Sequence, residues 1–284
     1  MKKTLIALAV AASAAVSGSA MAASWVEGGS GGDVNFGGSI TVPGNVTWMW
    51  LLGDGKTDFA NQSSEMTDSG KKLVITAAND IPILAGKLKT GVKGSDLVPT
   101  GTMPQIDFLS GGSKITPVFS NSGGLSLTVK LLDKTSSAEL GTLKINGRSA
   151  GVVAMKTAAG QYEVKSLGSS NNDIFVGGVS PTGSQLIWGG GSATAVVEKF
   201  GGPTLAEVEQ MVKDYVSDPS AVFSDINQDW GISRNDSTDM SMPAYGISYG
   251  FGVEQGSTLE ATFTNPVTST TEWKAPLTVS ITYV

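Results

Sequence analysis

The chain has 284 residues, a formal net charge of −6 at pH 7, 37 glycines, and neither cysteine nor histidine. Without those two residue types the sequence has no disulfide, no thiol nucleophile, no thiolate or imidazole metal site and no catalytic triad with a histidine base. The acidic balance, with no lysine or arginine cluster, argues against nucleic acid as a partner.

Residues 1–22 have the pattern of a secretory signal peptide. Two lysines precede the apolar run 5–16, and Ala20-Met21-Ala22 provides an A-x-A cleavage site. We therefore expect an exported mature chain that begins at Ala23 and carries a charge of −8, from 17 basic and 25 acidic residues. No later segment reaches the about 18 consecutive apolar residues of a membrane-spanning helix.

The first element of the mature chain is an alternating strand at 33–42, within an amino-terminal extension at 23–44. One face of this strand carries Val34, Phe36, Gly38, Ile40 and Val42. It lies between a glycine-rich tether at 28–32 and the break Pro43-Gly44-Asn45, so it can detach at low cost. We expect it to act as a donor strand that fills a groove on another copy, although an ordinary first strand of the domain is the alternative.

The energy of such an insertion is large enough to hold two copies together. Burial of the four large apolar side chains contributes roughly 6 to 12 kcal/mol in gross terms. Main-chain hydrogen bonds along the edge of the receiving sheet add to this.

Short strand-like runs then recur between clusters of Gly, Ser, Asn and Asp. They lie at 46–52, 72–77, 81–88, 105–108, 115–119, 125–132 and 140–145. Seven short strands in about 100 residues predict an all-β, Ig-like sandwich, which we place at 45–284.

The pattern changes at about 155–242, which we interpret as an inserted subdomain. Thr204 and Glu207 have capping-box spacing, an apolar stripe follows on one helical face, and Pro219 ends it, so we predict a short helix there. Around this helix we predict short strands at 174–176, 186–188 and 195–197.

Strands return at 244–251 and 258–263, and the carboxyl-terminal run 277–284 alternates over its whole length. Its apolar positions are Leu277, Val279, Ile281 and Tyr283. The period of two predicts a half-buried last strand.

The segment 225–236 carries carboxylate and amide oxygens at the spacing of a calcium loop. Trp230 displaces the glycine that such a loop requires, so a polar surface loop is the favoured interpretation. Trp188 and Trp230 lie in the insertion, where an exposed aromatic ring can stack on a sugar, although packing is the more common role. For Trp48, Trp50 and Trp273 we expect a place in the core.

Several blocks resemble the major fimbrial subunits of the FaeG and ClpG type, which the chaperone–usher route assembles. These blocks are the signal peptide, residues 32–41 (GDVNFGGSIT), residues 174–178 (IFVGG), and the segments 256–263 and 273–283. The resemblance extends over nearly the whole chain and is strongest at its two ends.

The resemblance implies an incomplete Ig-like sandwich that is completed by donor-strand exchange between identical subunits. A periplasmic chaperone would fill the gap during export, and an outer-membrane usher would replace it with the donor strand of the next subunit in a fimbria at the bacterial surface. By the same likeness, Leu277, Val279, Ile281 and Tyr283 border the acceptor groove and contact the chaperone.

The resemblance also implies that the subunit is itself an adhesin that binds a host glycan or glycoprotein through the insertion. The receptor-binding region would include Leu167, Asn172, Phe175 and Trp188. In the FaeG-type receptor loop an aromatic residue and an arginine contribute to sugar binding, and here Leu167 and Asn172 stand in those places. The identity of the receptor therefore does not carry over.

Two other functions remain open. A non-adhesive, capsule-like surface polymer would have the same architecture, with an insertion that serves only as a spacer. A secreted carbohydrate-active enzyme would use an acidic pair such as Asp225 and Asp229. We expect the adhesive subunit, with no enzymatic activity, no cofactor and no metal site.

Overall fold

The computed structural model of the chain describes residues 26–27, 46–54, 58–169, 174–233 and 235–284. The strands are β1 (Val26–Glu27), β2 (Trp48–Leu52), β3 (Lys72–Thr76), β4 (Ile81–Leu88), β5 (Pro104–Ser110), β6 (Ser113–Ile115), β7 (Val118–Ser120), β8 (Gly124–Asp133), β9 (Glu139–Lys156), β10 (Tyr162–Gly168), β11 (Ser224–Gly231), β12 (Ala244–Val253), β13 (Thr258–Phe263), β14 (Trp273–Lys274) and β15 (Thr278–Tyr283). The helices are α1 (Gly190–Lys199), α2 (Leu205–Val216) and α3 (Ser237–Ser241). Within these ranges, none of the helices has the length and apolar character needed to cross a membrane.

The all-β, Ig-like fold class predicted from the sequence is confirmed. The predicted strands at 81–88 and 258–263 coincide with β4 and β13, and most of the others differ from the observed strands by a few residues. The run 115–119 is wrong as a single strand, because it is divided between β6 and β7. The predicted strand at 140–145 is only the beginning of the 18-residue β9.

The predicted helix of the insertion is confirmed as α2. The Glu207 N–H donates to the Thr204 hydroxyl at 3.3 Å, and the Thr204 N–H donates to the Glu207 carboxylate at 2.8 Å. This reciprocal pair satisfies donors that every helix leaves open at its amino terminus. The Glu207 carboxylate accepts hydrogen bonds from the backbone N–H and the hydroxyl of Thr204, and these bonds hold its pKa below the usual range, although its burial acts in the opposite direction.

Other predictions inside the insertion are wrong. Residues 195–197, predicted as a strand, lie within α1; residues 186–188 form no strand; and 174–176 contributes only an isolated bridge between Val176 and Val179. The polar surface loop predicted around Asp225 is the strand β11, which pairs in parallel with β10.

The long strand β9 changes partners part-way along its length. Its first half pairs with β8 and β13, and its second half pairs with β10 and β12. The change falls at Arg148, which lies opposite both Gly124 of β8 and Gly252 of β12. One twelve-stranded sheet results, with the central order β1-β2-β4-β12-β9-β10-β11, and a second, three-stranded sheet has the order β15-β5-β6. Most of the core lies between these strands.

Strand β12 has both of its faces covered, and all ten of its residues are buried. Its large side chains, including Tyr245, Ile247 and Tyr249, belong to the main core. Glycines alternate with them on the opposite face, where α1 and α2 pack. A Cβ on Gly246 would lie 2.4 Å from the carbonyl oxygen of Val208, so only glycine allows α2 to approach this closely.

Candidate functional site at the β2–β15 edge

Strand β15 has the alternating burial that its sequence predicts. Leu277, Val279 and Ile281 are buried, and Tyr283 is half-buried. All four pack in or against the main core. The residues between them, such as Ser280 and Thr282, are half-buried or exposed. The inward face of β15 is therefore part of the core of the domain.

The hydrogen-bond phase of β15 shows which backbone groups point away from β5. Met103 and Val284 exchange both of their backbone hydrogen bonds, at 3.4 and 3.0 Å. Because hydrogen-bonded pairs alternate along an antiparallel ladder, the even-numbered residues of β15 bond to β5. The N–H and C=O groups of Val279, Ile281 and Tyr283 consequently point to the opposite edge. Within the described ranges, β5 is the only strand that pairs with β15.

Strand β2 lies on the same side of the domain as the end of β15. The indole N–H of Trp50 donates to the Tyr283 hydroxyl at 2.9 Å, and the indole N–H of Trp48 donates to the carbonyl of Thr102 at 2.8 Å. These bonds connect the large sheet to the small sheet at one end of the core. We call this region the β2–β15 edge, formed by residues 48–52 and 277–284.

Burial raises the pKa of Tyr283. Desolvation raises the pKa of its hydroxyl to about 12, and the hydrogen bond from Trp50 acts in the opposite direction. The phenol is neutral at physiological pH, as an unperturbed tyrosine is, and its burial extends the neutral form to a more alkaline pH.

The two described residues of the amino-terminal extension pair within their own chain. In β1, Val26 lies opposite Trp50 and Glu27 lies opposite Met49, on the side of β2 away from β4. The predicted donor strand, with Val34, Phe36, Gly38, Ile40 and Val42, lies outside the described residues. Its role stays a prediction.

An aromatic cluster fills the core behind the edge. The Phe175 ring centroid lies 5.4 Å from that of Trp48 and 5.1 Å from that of Tyr249. Phe175 has a φ of 52°, an unusual left-handed conformation for an aromatic residue. Its backbone N–H donates to the Pro104 carbonyl at 2.7 Å, which attaches the IFVGG turn to β5.

The glycines of that turn are required by close packing. A Cβ on Gly177 would lie 2.2 Å from the Ile106 carbonyl, and one on Gly178 would lie 2.5 Å from the Ile106 side chain. The motif at 174–178 thus positions a core aromatic side chain against the small sheet.

The four residues predicted for receptor binding lie in different environments. Leu167 and Phe175 are fully buried, Trp188 is 48% exposed, and Asn172 lies outside the described residues. Among the three that are described, the Trp188 side chain is the one that solvent reaches. The receptor-binding region stays a prediction.

The acidic residues that suggested calcium or hydrolysis have structural contacts. Both carboxylate oxygens of Asp225 accept hydrogen bonds from the start of α1, from the Gly190 N–H at 2.7 Å and the Gly191 N–H at 3.1 Å. Asp225 is therefore engaged in helix capping. No group of three or more acidic residues within the described ranges is arranged to hold a metal ion.

Asp239 is the centre of a buried polar network that the sequence did not suggest. It accepts hydrogen bonds from the Trp230 indole at 3.0 Å, the Ser233 N–H at 2.8 Å and the Tyr245 hydroxyl at 3.3 Å. Burial raises the pKa of the Asp239 carboxyl above its ordinary value. The ammonium of Lys165 lies 4.5 Å from the centre of the Trp230 ring, so this tryptophan is occupied by internal contacts.

Comparison with known proteins identifies the family. Residues 1–284 match the family described as "Fimbrial, major and minor subunit". The chain belongs to this fimbrial subunit family. It is 35% identical over 289 residues to the F41 fimbrial protein of Escherichia coli, and 33% identical to the K88 fimbrial proteins AD and AB of the same organism. Each of these alignments covers 100% of both chains.

The role of Trp50 at the fimbrial subunit's edge was missed by the sequence reasoning, which placed this residue only in the core. The hydrogen bond to Tyr283 joins residues 233 positions apart, and neither local sequence indicates the pairing. A signal was nevertheless present, since a tryptophan in a strand requires an acceptor for its indole N–H when it is buried.

Proposed function

We propose that this fimbrial subunit is the major structural subunit of a bacterial surface fimbria and polymerises by donor-strand exchange. The observation that carries the proposal is the outer edge of β15. Its odd-numbered residues combine inward-facing apolar side chains with backbone groups that point away from β5. A strand added there would form a ladder and cover the core at the same time.

The sequence of the extension is suited to that position. The donor strand alternates with a period of two, so Val34, Phe36, Ile40 and Val42 would enter the core while the intervening residues face solvent. Gly38 would lie where the receiving backbone comes closest.

The outer edge of β15 is also where the other proposed partners would act. An unpaired strand edge that borders an apolar core promotes aggregation, so a periplasmic chaperone would cover the outward-pointing backbone groups of Val279 and Ile281 until polymerisation. An outer-membrane usher would then exchange the chaperone for the next subunit. Family membership supports this route to the cell surface.

A charge substitution on the donor face tests the assembly mode. We expect Phe36→Asp to abolish fibres, because the carboxylate would have to enter an apolar groove without a partner. Asn35→Asp, on the opposite face of the same strand, is the matched control and should assemble normally. Electron microscopy and size-exclusion chromatography of the surface material measure both, and fibres of normal length from Phe36→Asp would contradict donor-strand exchange.

Deletion of the amino-terminal extension tests donor-strand exchange in a second way. The chain without residues 23–42 should fold only with a chaperone or a supplied peptide of sequence 33–42. Stable folding of the truncated chain alone would show that the domain is complete without the extension.

We further propose that the fimbria adheres to host glycans through the insertion at 155–242. The observation in support is Trp188, which is 48% exposed immediately before α1. An exposed indole is a suitable surface for the apolar face of a sugar ring. By the family likeness, Asn172, which lies outside the described residues, would belong to the same receptor-binding region.

Glycan-array binding by assembled fibres tests adhesion. Trp188→Ala should reduce binding to the recognised glycan, whereas Tyr215→Ala, which removes another exposed aromatic side chain, should leave it unchanged. If unmodified fibres bind no glycan at millimolar concentration, the non-adhesive surface polymer is the correct function, and the assembly proposal is unaffected.

A further inference from the structure

A cavity of about 480 Å³ lies outside the insertion. Its walls come from the segment after β2, from β3, from the end of β13 and from the loop between β13 and β14. Its size lies within the range of small-molecule sites.

Six of the described residues that line the cavity are apolar. Leu73 and Phe263 are buried at the floor, where Met66 and Val267 are half-buried. The rings of Phe59 and Trp273 are nearly parallel, with an interplanar angle of 10° and centroids 6.3 Å apart. Both aromatic side chains are half-buried, so solvent still reaches them.

The rim is polar but uncharged. It consists of hydroxyl and amide side chains, namely Asn61, Gln62, Ser63, Thr268, Ser269, Thr270 and Thr271. Among the described contacts, the hydroxyls of Thr268, Ser269 and Thr270 have no hydrogen bond to another protein group. They are therefore free to exchange water for a ligand.

The composition of this cavity points to a particular class of ligand. None of the described residues that line it is charged, although the chain as a whole has a net charge of −6. An anionic ligand would lose hydration here without gaining a cationic partner among the described residues of the lining. A pyranose ring instead offers apolar C–H groups to aromatic rings and hydroxyls to a rim of neutral donors and acceptors.

We propose that this cavity binds an uncharged pyranoside, either a free methyl glycoside or one neutral residue of a longer glycan. The aromatic pair Phe59 and Trp273 receives the apolar face of the sugar, and the loop 268–271 binds its hydroxyls. The site shares no residue with the insertion at 155–242. It depends neither on the adhesion proposed for Trp188 nor on polymerisation, and it can be measured on the full mature chain in any assembly state.

Saturation-transfer NMR on the full mature chain tests the proposal. The probes are methyl β-D-galactopyranoside and methyl β-D-glucopyranoside at millimolar concentration, with the charged methyl β-D-glucuronide for comparison. We expect saturation transfer to the ring C–H protons of at least one neutral probe and none to the glucuronide. Trp273→Ala should weaken the binding about tenfold, and Trp273→Phe should restore most of it.

Rim variants keep the test decisive if Trp273→Ala fails to fold. Thr270→Val and Ser269→Ala change exposed positions, and together they should weaken binding several-fold at unchanged thermal stability. Tyr215→Ala, which removes an exposed aromatic side chain that does not line the cavity, is the matched control and should have no effect on these probes. The proposal is overturned if neither neutral probe binds, if the glucuronide binds equally well, if the rim variants have no effect, or if only a second copy of the chain occupies the cavity.

Discussion

The indole N–H of Trp50 and the hydroxyl oxygen of Tyr283 lie 2.9 Å apart and connect the first long strand of the domain to its last. Trp50 is 7% exposed, so its donor has little access to water. The bond fixes the distance between β2 and the end of β15, the two sides of the edge that we assign to assembly. Its loss should affect stability and assembly together.

Removal of the Tyr283 hydroxyl measures how much its hydrogen bond with Trp50 contributes to stability. We expect Tyr283→Phe to lower the free energy of unfolding by about 1 to 3 kcal/mol, because a nearly buried indole N–H would lose its partner. Urea unfolding of the mature chain measures the loss. Tyr215→Phe, at a 42% exposed position, is the control and should be nearly neutral. Equal stability of the two variants would mean that water replaces the acceptor.

The same tyrosine should make stability sensitive to alkali. Its pKa is about 12 in the folded chain, against 10 for an unperturbed tyrosine. The folded chain therefore retains a proton that the unfolded chain loses, so stability falls as the pH rises from about 10 to 12. Tyr283→Phe should make this fall shallower by up to one proton. An unchanged slope in unfolding experiments over this pH range would assign the effect to Tyr245 and Tyr249, whose pKa values burial also raises.

Because α1 packs on β12, we predict that alanine substitutions at two positions on the same face of β12 have opposite effects on stability. A Cβ on Gly250 would lie 2.8 Å from the Val197 Cα, so Gly250→Ala should destabilise the chain by about 1 to 3 kcal/mol. The Ser248 hydroxyl is buried and has no hydrogen-bond partner among the described residues. Ser248→Ala should therefore be neutral or stabilising. Thermal unfolding compares them, and a stable Gly250→Ala variant would show that α1 can move away from the strand.

The local patterns of the sequence were sufficient for most strands and for α2, since the alternation and the capping box depend on neighbouring residues. They failed at α1, where Val196 and Val197 favoured a strand. There the helix is determined by tertiary contacts, namely the Asp225 cap from β11 and the packing of Val197 beside Gly250.

The sequence predicted only those features of the candidate site that depend on neighbouring residues. The period of two identified the inward face of β15, but its hydrogen-bond phase depends on the distant Met103. Trp273 was expected in the core, and it packs against the core as a half-buried side chain, but its second role in the lining of a cavity beside Phe59, far away in sequence, was not predicted. Pairings between distant residues are not encoded in local periodicity.

The capping of α1 by Asp225 of β11 predicts that removal of this side chain lowers stability. Asp225→Ala should cost about 0.5 to 2 kcal/mol, because two helix N–H groups would lose their acceptor. Asn227→Ala, at an exposed position of the same strand, is the control. Thermal unfolding measures both variants. A loss of stability confined to Asn227→Ala would contradict the capping role of Asp225.

The contacts of Glu254 predict that the free energy of unfolding falls at acid pH. Its carboxylate accepts hydrogen bonds from the Lys199 ammonium at 2.7 Å and the Arg148 guanidinium at 3.0 Å, so it joins the ends of β12 and α1 to β9. Burial alone would raise the pKa of Glu254, but the contacts with these two cations outweigh it and lower the pKa below the ordinary 4.5. The folded chain thus binds this proton less readily than the unfolded chain. The stabilisation is present above about pH 4.5 and is lost as the pH falls through the folded pKa.

Glu254→Gln should accordingly cost about 1 kcal/mol at neutral pH. The difference from the unmodified chain should shrink as the pH falls below about 4, where the carboxylate of the unmodified chain is protonated as well. The control is Glu272→Gln, whose ion pair with Lys134 spans 3.9 Å between two exposed side chains and should contribute almost nothing at any pH. Urea unfolding across the acid range measures both variants. A constant difference for Glu254→Gln at all pH values would mean that the hydrogen-bond geometry, rather than the charge of Glu254, stabilises this junction.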